Sequence, residues 1–210
     1  MSGILGHIGL LLPGSASGLT YATWNPADMA GTISLSNGNK TAQRTGGSTL
    51  YNSVRATLPV SAPSYWEVRV PWAGLGARCA IGVCQSSLAL LSGTVFPGST
   101  ADSVGCFGPN NTVYLNNSGT DYPDGDSTSL YGLAFDPVTG KIWIRDFAAS
   151  TGTGYFGGGN PAAGTSPTKT LPAGTYYPCV CAAASDVMTA NFGASAFTGA
   201  VPAGFNAGVY

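Results

Sequence analysis

Hydrophobic and polar residues alternate along this chain in short runs, with a period of two and no sustained helical period. Tyr65-Trp66-Glu67-Val68-Arg69-Val70 sets the pattern. Trp66, Val68 and Val70 fall on one face, Glu67 and Arg69 on the other, which predicts a half-buried strand with a Glu67–Arg69 ion pair on its polar side. Cys79 to Cys84 is short, apolar and β-branched, and Gly82 inside it signals a bulge or a close backbone approach. Thr112 to Leu115 forms a strand after the turn at 108–111. Leu130–Phe135 and Lys141–Arg145 flank Asp136-Pro137-Val138-Thr139-Gly140, predicting a hairpin with Gly140 at positive φ. Val180 with its neighbours, and Val187 to Phe192, read as a last pair around Ser185-Asp186. Strands spaced about 8–12 residues apart, with turn signals between them, predict an all-β sandwich or barrel.

One stretch breaks the rhythm. Residues 147–175 are rich in Gly, Ser, Thr and Pro, and loops beyond about 12–15 residues are often functional. Tyr155 and Phe156 lie near its middle, either as exposed binding anchors or folded back to cap the sandwich.

Composition supports an ordered domain. The chain has 210 residues, 44% of them hydrophobic and only 8% charged, with net charge −1. Aromatic residues recur throughout, so the 31 glycines read as turn chemistry rather than disorder. A chain of this length buries about 70% of its unfolded surface and needs no disulfide or metal staple. Eight scattered Lys and Arg make no basic stripe, which excludes nucleic acid and anionic membranes as partners. Five cysteines cannot make a complete disulfide framework; small buried hydrophobes are the favoured role over a metal or redox site.

The first twenty residues stand apart from the domain at 21–210. Ile4, Leu5, Ile8, Leu10, Leu11 and Leu12 lie in an uncharged run too short to span a bilayer, which takes about 20 residues. A signal peptide would want Lys or Arg ahead of the run, and none is there. The run either docks on a neighbouring protein or packs on its own domain.

Candidate chemistry is sparse. His7 is the sole histidine and lies in the arm, which argues against a Ser–His or Cys–His relay. Glu67 is the sole glutamate. Asp121, Asp124 and Asp126 have oxygens at short spacing but lack the full ladder of a calcium loop, so a solvated turn is the favoured reading and no metal is assigned. No catalytic residue and no cofactor are expected.

The order of motifs resembles the SPRY domain. Tyr65-Trp66-Glu67-Val68 followed by Ala80-Ile81-Gly82-Val83 is similar to that family's "YWEV…IGV" core. Ser103-Val104-Gly105-Cys106-Phe107 with Asn116-Asn117 resembles "SWGYY…NNG". Leu133–Asp136 leading to Gly140–Ile144 resembles "GVALDLDNGKIWF". Tyr177-Pro178 with Thr189–Gly193, and Pro202–Phe205, resemble "YPAV…ANFG" and "PPGF". The resemblance spans residues 22 to 206. Residues 159–165, Trp24-Asn25-Pro26 and Ser34–Asn39 look like the bacteriophage and bacterial variant. The five cysteines and the arm depart from the pattern.

The resemblance implies a bent antiparallel β-sandwich, concanavalin-like, acting as a binding scaffold without shared catalytic residues. The expectation drawn from it is a non-enzymatic virion structural protein: a head decoration, collar or tail component. The arm would hold it to other virion proteins, in several copies as a homo-oligomer. Each buried Leu or Ile of the arm would contribute about 1.5–3 kcal/mol before ordering costs. The alternative is an adhesin module for a host surface glycan or protein, with Trp72, Tyr122, Asp124, Asp126, Tyr155 and Phe156 as loop contacts.

Overall fold

The structure is a computed structural model. It describes residues 18–46, 51–71, 79–92, 94–108, 111–122, 128–147, 154–182 and 186–210. Its strands, in chain order, are β1 (Trp24–Met29), β2 (Ile33–Ser36), β3 (Thr41–Arg44), β4 (Tyr51–Ala56), β5 (Ser64–Pro71), β6 (Ala80–Cys84), β7 (Leu91–Ser92) and β8 (Ser103–Phe107). They continue with β9 (Thr112–Leu115), β10 (Ser118–Thr120), β11 (Thr128–Asp136), β12 (Lys141–Asp146), β13 (Lys169–Thr170), β14 (Tyr177–Ala182), β15 (Val187–Asn191) and β16 (Asn206–Ala207). Among the described residues the one helical element is a three-residue 3-10 turn, Phe156–Gly158. No helix there is long and apolar enough to cross a membrane.

Two sheets form the sandwich. The first has the order β1-β4-β14-β6-β8-β9-β10, with β7 also on β4; the second has β13-β12-β11-β5-β15-β3-β2, with β16 also on β5. Pairing is antiparallel except for β16, which runs parallel to β5. The alternation read from sequence sets the core. Trp66, Val68, Leu133, Phe135, Ile142 and Ile144 of the second sheet face Val54, Ile81, Val83, Val104, Val113 and Val180 of the first. Trp24 closes one edge against Phe192, ring centroids 5.0 Å apart.

Several local expectations match the backbone. β11 and β12 pair through Asp136↔Lys141, and Gly140 at φ 69° closes the turn. Asp136 organises that turn by accepting from the Val138 N–H at 3.0 Å and the Thr139 hydroxyl at 2.6 Å. Asn116 and Asn117, both at positive φ, join β9 to β10 in a two-residue turn, for which asparagine is suited. Gly82 marks a close approach rather than a bulge. It lies opposite Gly105 in an unbroken β6–β8 register, where a Cβ would strike the Val104 carbonyl.

Two expectations are corrected. β14 and β15 do not pair: β14 lies between β4 and β6, and β15 between β5 and β3. Ala182, the last residue of β14, and Val187, the first of β15, therefore lie in different sheets. Both segments are strand-like in pattern, and pattern alone does not say which partner each takes. Nor is β5 half-buried at its start. Tyr65 and Glu67, on the face away from the core, are themselves buried. A second layer covers them, in which Phe197, Val201 and Phe205 pack on Tyr65, Ala134, Trp143 and Tyr155.

The cysteines behave as hydrophobes. All five are free and buried. Cys179 and Cys181 do share the outer face of β14, Cys179 packing with Cys84 and Leu88, Cys181 with Ala80 and Phe107.

Candidate functional site

The outer face of the second sheet is where the surface opens. Two stretches of chain lie across it. Residues 154–168 form a strap over β12, and residues 193–205 run over β11 and β5.

The strap is fixed by the strand beneath it. The Trp143 indole N–H donates to the Thr165 carbonyl at 2.8 Å, Lys141 Nζ to the Gly164 carbonyl at 2.9 Å, and the Ile144 N–H to the Thr168 hydroxyl at 3.0 Å. Asn160 and Thr165 bridge each other at its tip. Residues 154–168 of the stretch that breaks the strand rhythm are thus held against β12.

This decides the placement of the loop aromatics. Tyr155 is 8% exposed and Phe156 is 4% exposed. Phe156 enters the main core, and Tyr122, half-buried, stacks on it with ring centroids 4.8 Å apart and planes 12° apart. Tyr155 joins the second-layer cluster, where burial pushes its phenol up to about 12 against the opposing pull of Arg145. As exposed anchors, Tyr155 and Phe156 are corrected: the strap folds them inward because its ends are tied to β12. Trp72, Asp124, Asp126 and the arm residues Ile4, Leu5, Ile8, Leu10, Leu11 and Leu12 lie outside the described residues.

Beside residues 193–205 the same face carries a polar groove of about 230 Å³. Its floor is Glu67 and Arg69 of β5 with Thr189 of β15. Lys40 and Asn37, from the β2–β3 turn, stand on one side, and Ser195, Ala196 and Thr198 on the other. The far wall is shaped by Asn191. Its amide donates to the Ser195 and Ala196 carbonyls at 3.0 and 3.1 Å and accepts from the Gly193 N–H at 3.1 Å.

Charge in the groove is uneven. Glu67 is not paired with Arg69. Its carboxylate accepts from the Tyr65 hydroxyl at 3.0 Å and from the Thr198 and Gly199 N–H groups at 3.0 and 2.8 Å. Arg69 is exposed instead, and among the described residues neither it nor Lys40 has an ion-pair partner. The groove thus offers two cations and one carboxylate that is already committed. Among the described residues the ion pair that forms, Arg55 with Asp28, lies on the other sheet and is bidentate at 2.7 and 2.8 Å.

Sequence reading missed the groove. Arg69 was legible as the polar side of β5, but Lys40 and Thr189 come beside it only through the β5-β15-β3 order. Among the described residues no group of three His, Cys, Asp or Glu is placed to hold a metal ion.

The overall fold is similar to that of solved structures. The TRIM65 PSpry domain is similar with a TM-score of 0.61 and 18% identity, over 82% of this chain and 92% of that one. The fold is that of SPRY domains. A human SPRY domain is similar with a TM-score of 0.57 and 18% identity, over 79% of this chain and 98% of that one. The stonustoxin structure is similar with a TM-score of 0.60 and 16% identity. The match covers 82% of this chain but only 27% of the toxin. The sequence itself matches no family model and no curated protein. The SPRY fold is therefore carried here by the sandwich alone.

Proposed function

We propose that this protein is a non-enzymatic binding module of the bacteriophage type, serving as a structural component of a virion. What supports the binding role is the groove on the second sheet. It joins two unpaired cations to a carboxylate whose lone pairs are used internally, with no histidine or second carboxylate beside them. Such a surface offers contacts to a partner and no proton relay. SPRY domains provide a scaffold of this kind. The phage setting rests on the motif variant at residues 159–165 and 24–26, and on the apolar run from Ile4 to Leu12.

The arm reading gains one support from the fold. The chain enters the sandwich at Tyr21, whose ring meets Tyr210 edge-on at 5.6 Å, and Leu19 just ahead is 52% exposed. A large apolar side chain left on the surface there is suited to contact with a neighbour. The arm docks on another virion protein, and the sandwich projects with its groove available.

The test is incorporation. Particles assembled in the presence of the full chain, or of a chain lacking residues 2–18, are purified on a density gradient and assayed for the protein. The full chain is expected in the particle band and the shortened chain in the soluble fraction, still folded by circular dichroism. Equal incorporation of both removes the arm from the account.

A second reading is adhesion to a host surface glycan or protein. It is favoured by the outward-facing groove rather than by Tyr155 and Phe156. A glycan array probed with the wild type and with Lys40→Glu/Arg69→Glu separates the two readings. No glycan bound by the wild type ends the glycan form of the second.

A further inference from the structure

The strap and the chain over β11 leave a second opening between them, separate from the polar groove. It has a volume of about 250 Å³. Arg145 and Tyr155 form its base, and Asn160, Pro161, Val201 and Pro202 its sides. The lining is mostly aliphatic and prolyl, yet a guanidinium stands within it.

Arg145 is held in an unusual way. It lies opposite Gly132 in the β11–β12 register, and its stem rests on that glycine: a Cβ on Gly132 would come within 2.9 Å of Arg145 Cγ. The guanidinium carbon lies 4.2 Å from the Phe147 ring centre and 5.3 Å from that of Tyr155. Two aromatic neighbours fix its plane, which reduces the freedom it would lose on binding. Its Nε is buried without a hydrogen-bond partner, so a ligand would meet the terminal nitrogens. Among the described residues Arg145 forms no ion pair. The nearby carboxylate, Glu67, is taken by Tyr65, Thr198 and Gly199. Residues 148–153 contain no Asp or Glu. Among the described residues this partly desolvated, positioned cation has no anion paired with it, and a carboxylate hydrogen-bonded to it would offset that desolvation.

We propose that this cleft binds a carboxylate group of a peptide partner, with the adjoining aliphatic or prolyl side chain packed against Pro161, Val201 and Pro202. A peptide fits better than an acidic sugar. The walls offer one side-chain amide, Asn160, whereas the hydroxyls of a sugar ring would need several polar partners. The inference concerns a site apart from both the arm and the groove, so its outcome leaves particle incorporation to be judged on its own.

Displayed random dodecapeptides, selected on the immobilised full chain, provide the test. Enriched sequences are resynthesised with free and with amidated C termini, and with each Asp or Glu changed to its amide. The expected set carries an acidic residue or needs its free C terminus, next to a Pro, Val, Leu or Ile. Neutralising that carboxylate, or Arg145→Gln in the protein, weakens binding at least tenfold. Arg145→Lys weakens it less. Ala162→Trp, at an exposed position on the rim, fills the cleft without touching Arg145 and also abolishes binding, which covers the case of an Arg145 variant that does not fold. Comparison of free and amidated peptides tells a side-chain carboxylate from a terminal one. The proposal is overturned if no peptide is enriched, if enriched peptides lack a required carboxylate, if Arg145→Gln and Ala162→Trp bind within twofold of wild type, or if the Arg145-dependent ligand is an acidic glycan alone.

Discussion

Tyr65 donates its hydroxyl to Glu67, two residues along the same strand, at 3.0 Å, and both side chains are buried on the face away from the main core. Glu67 also receives the N–H groups of Thr198 and Gly199, so the chain's one glutamate clasps the segment that walls both clefts. Glu67→Ala removes the acceptor and leaves buried donors unpaired. The expected loss is about 2–3 kcal/mol, while Glu67→Gln, which keeps one acceptor oxygen, costs roughly 1 kcal/mol. Urea unfolding followed by tryptophan fluorescence reads both. An alanine variant as stable as wild type would show that the clasp contributes nothing.

The contact between Gly82 and Val104 tests the first sheet. Gly82 and Gly105 lie opposite each other, and a Cβ on either meets backbone, the Val104 carbonyl or the Pro97 carbonyl. Backbone cannot rotate away as a side chain can. Gly82→Ala and Gly105→Ala are each expected to cost about 3 kcal/mol or to abolish soluble expression. Val138→Ala, at a hairpin tip that is 84% exposed, serves as the control and should be neutral within about 0.5 kcal/mol.

The strands and the hairpins were legible in the sequence because each is set by local pattern. Val68 alternates with the polar Glu67 and Arg69, and Gly140 supplies the positive φ that its turn requires. The last pairing was not legible. Val180 and Met188 are equally apolar, and only the sheet order sends them to opposite layers of one core. The clefts were hidden for a related reason. Phe197, Val201 and Phe205 come from a segment without strand pattern, yet they turn the polar face of β5 into a second buried layer. Glu67 read as surface and as Arg69's partner, because nothing adjacent in sequence announces the N–H groups of Thr198 and Gly199.

Two carboxyls give stability opposite pH dependences. Burial raises the pKa of Asp186 above its ordinary value, a shift partly countered by the Cys79 thiol that donates to it. Its contribution is therefore fully present below the unfolded value, near 3.8, and is lost as pH rises through the folded one. The Ser87 and Thr100 hydroxyls hold Asp102 below its ordinary value, so its contribution is present above about 3.8 and is lost as pH falls. Melting temperatures between pH 3 and 7 are expected to show Asp186→Asn gaining on wild type as pH rises, and Asp102→Asn losing less than wild type on acidification. Parallel curves for all three proteins would contradict both assignments.

The thiols offer a direct check on packing. All five cysteines are buried, and desolvation pushes Cys181 up to about 12. An aromatic disulfide reagent at pH 8 is expected to modify none of them in the native state within minutes and all of them in denaturant. A single thiol reacting at once in the native protein would place that cysteine at the surface.

Trp143 tests whether the strap is a unit of its own. The indole is buried on the outer face of β12, where it donates to the Thr165 carbonyl at 2.8 Å and meets Phe205 edge-on at 6.0 Å. Trp143→Phe keeps an aromatic ring but removes the donor, which costs about 1–2 kcal/mol including the carbonyl left behind. The loss should be local to the strap's tip, because Phe156 still anchors the strap in the main core and Ile144 retains its own bond to Thr168. Hydrogen exchange is then expected to speed up across residues 159–166 while β6 and β8, in the opposite sheet, exchange as before. Were exchange to rise evenly through both sheets, the strap would be part of the global fold, and the cleft it walls would have no separate freedom to open.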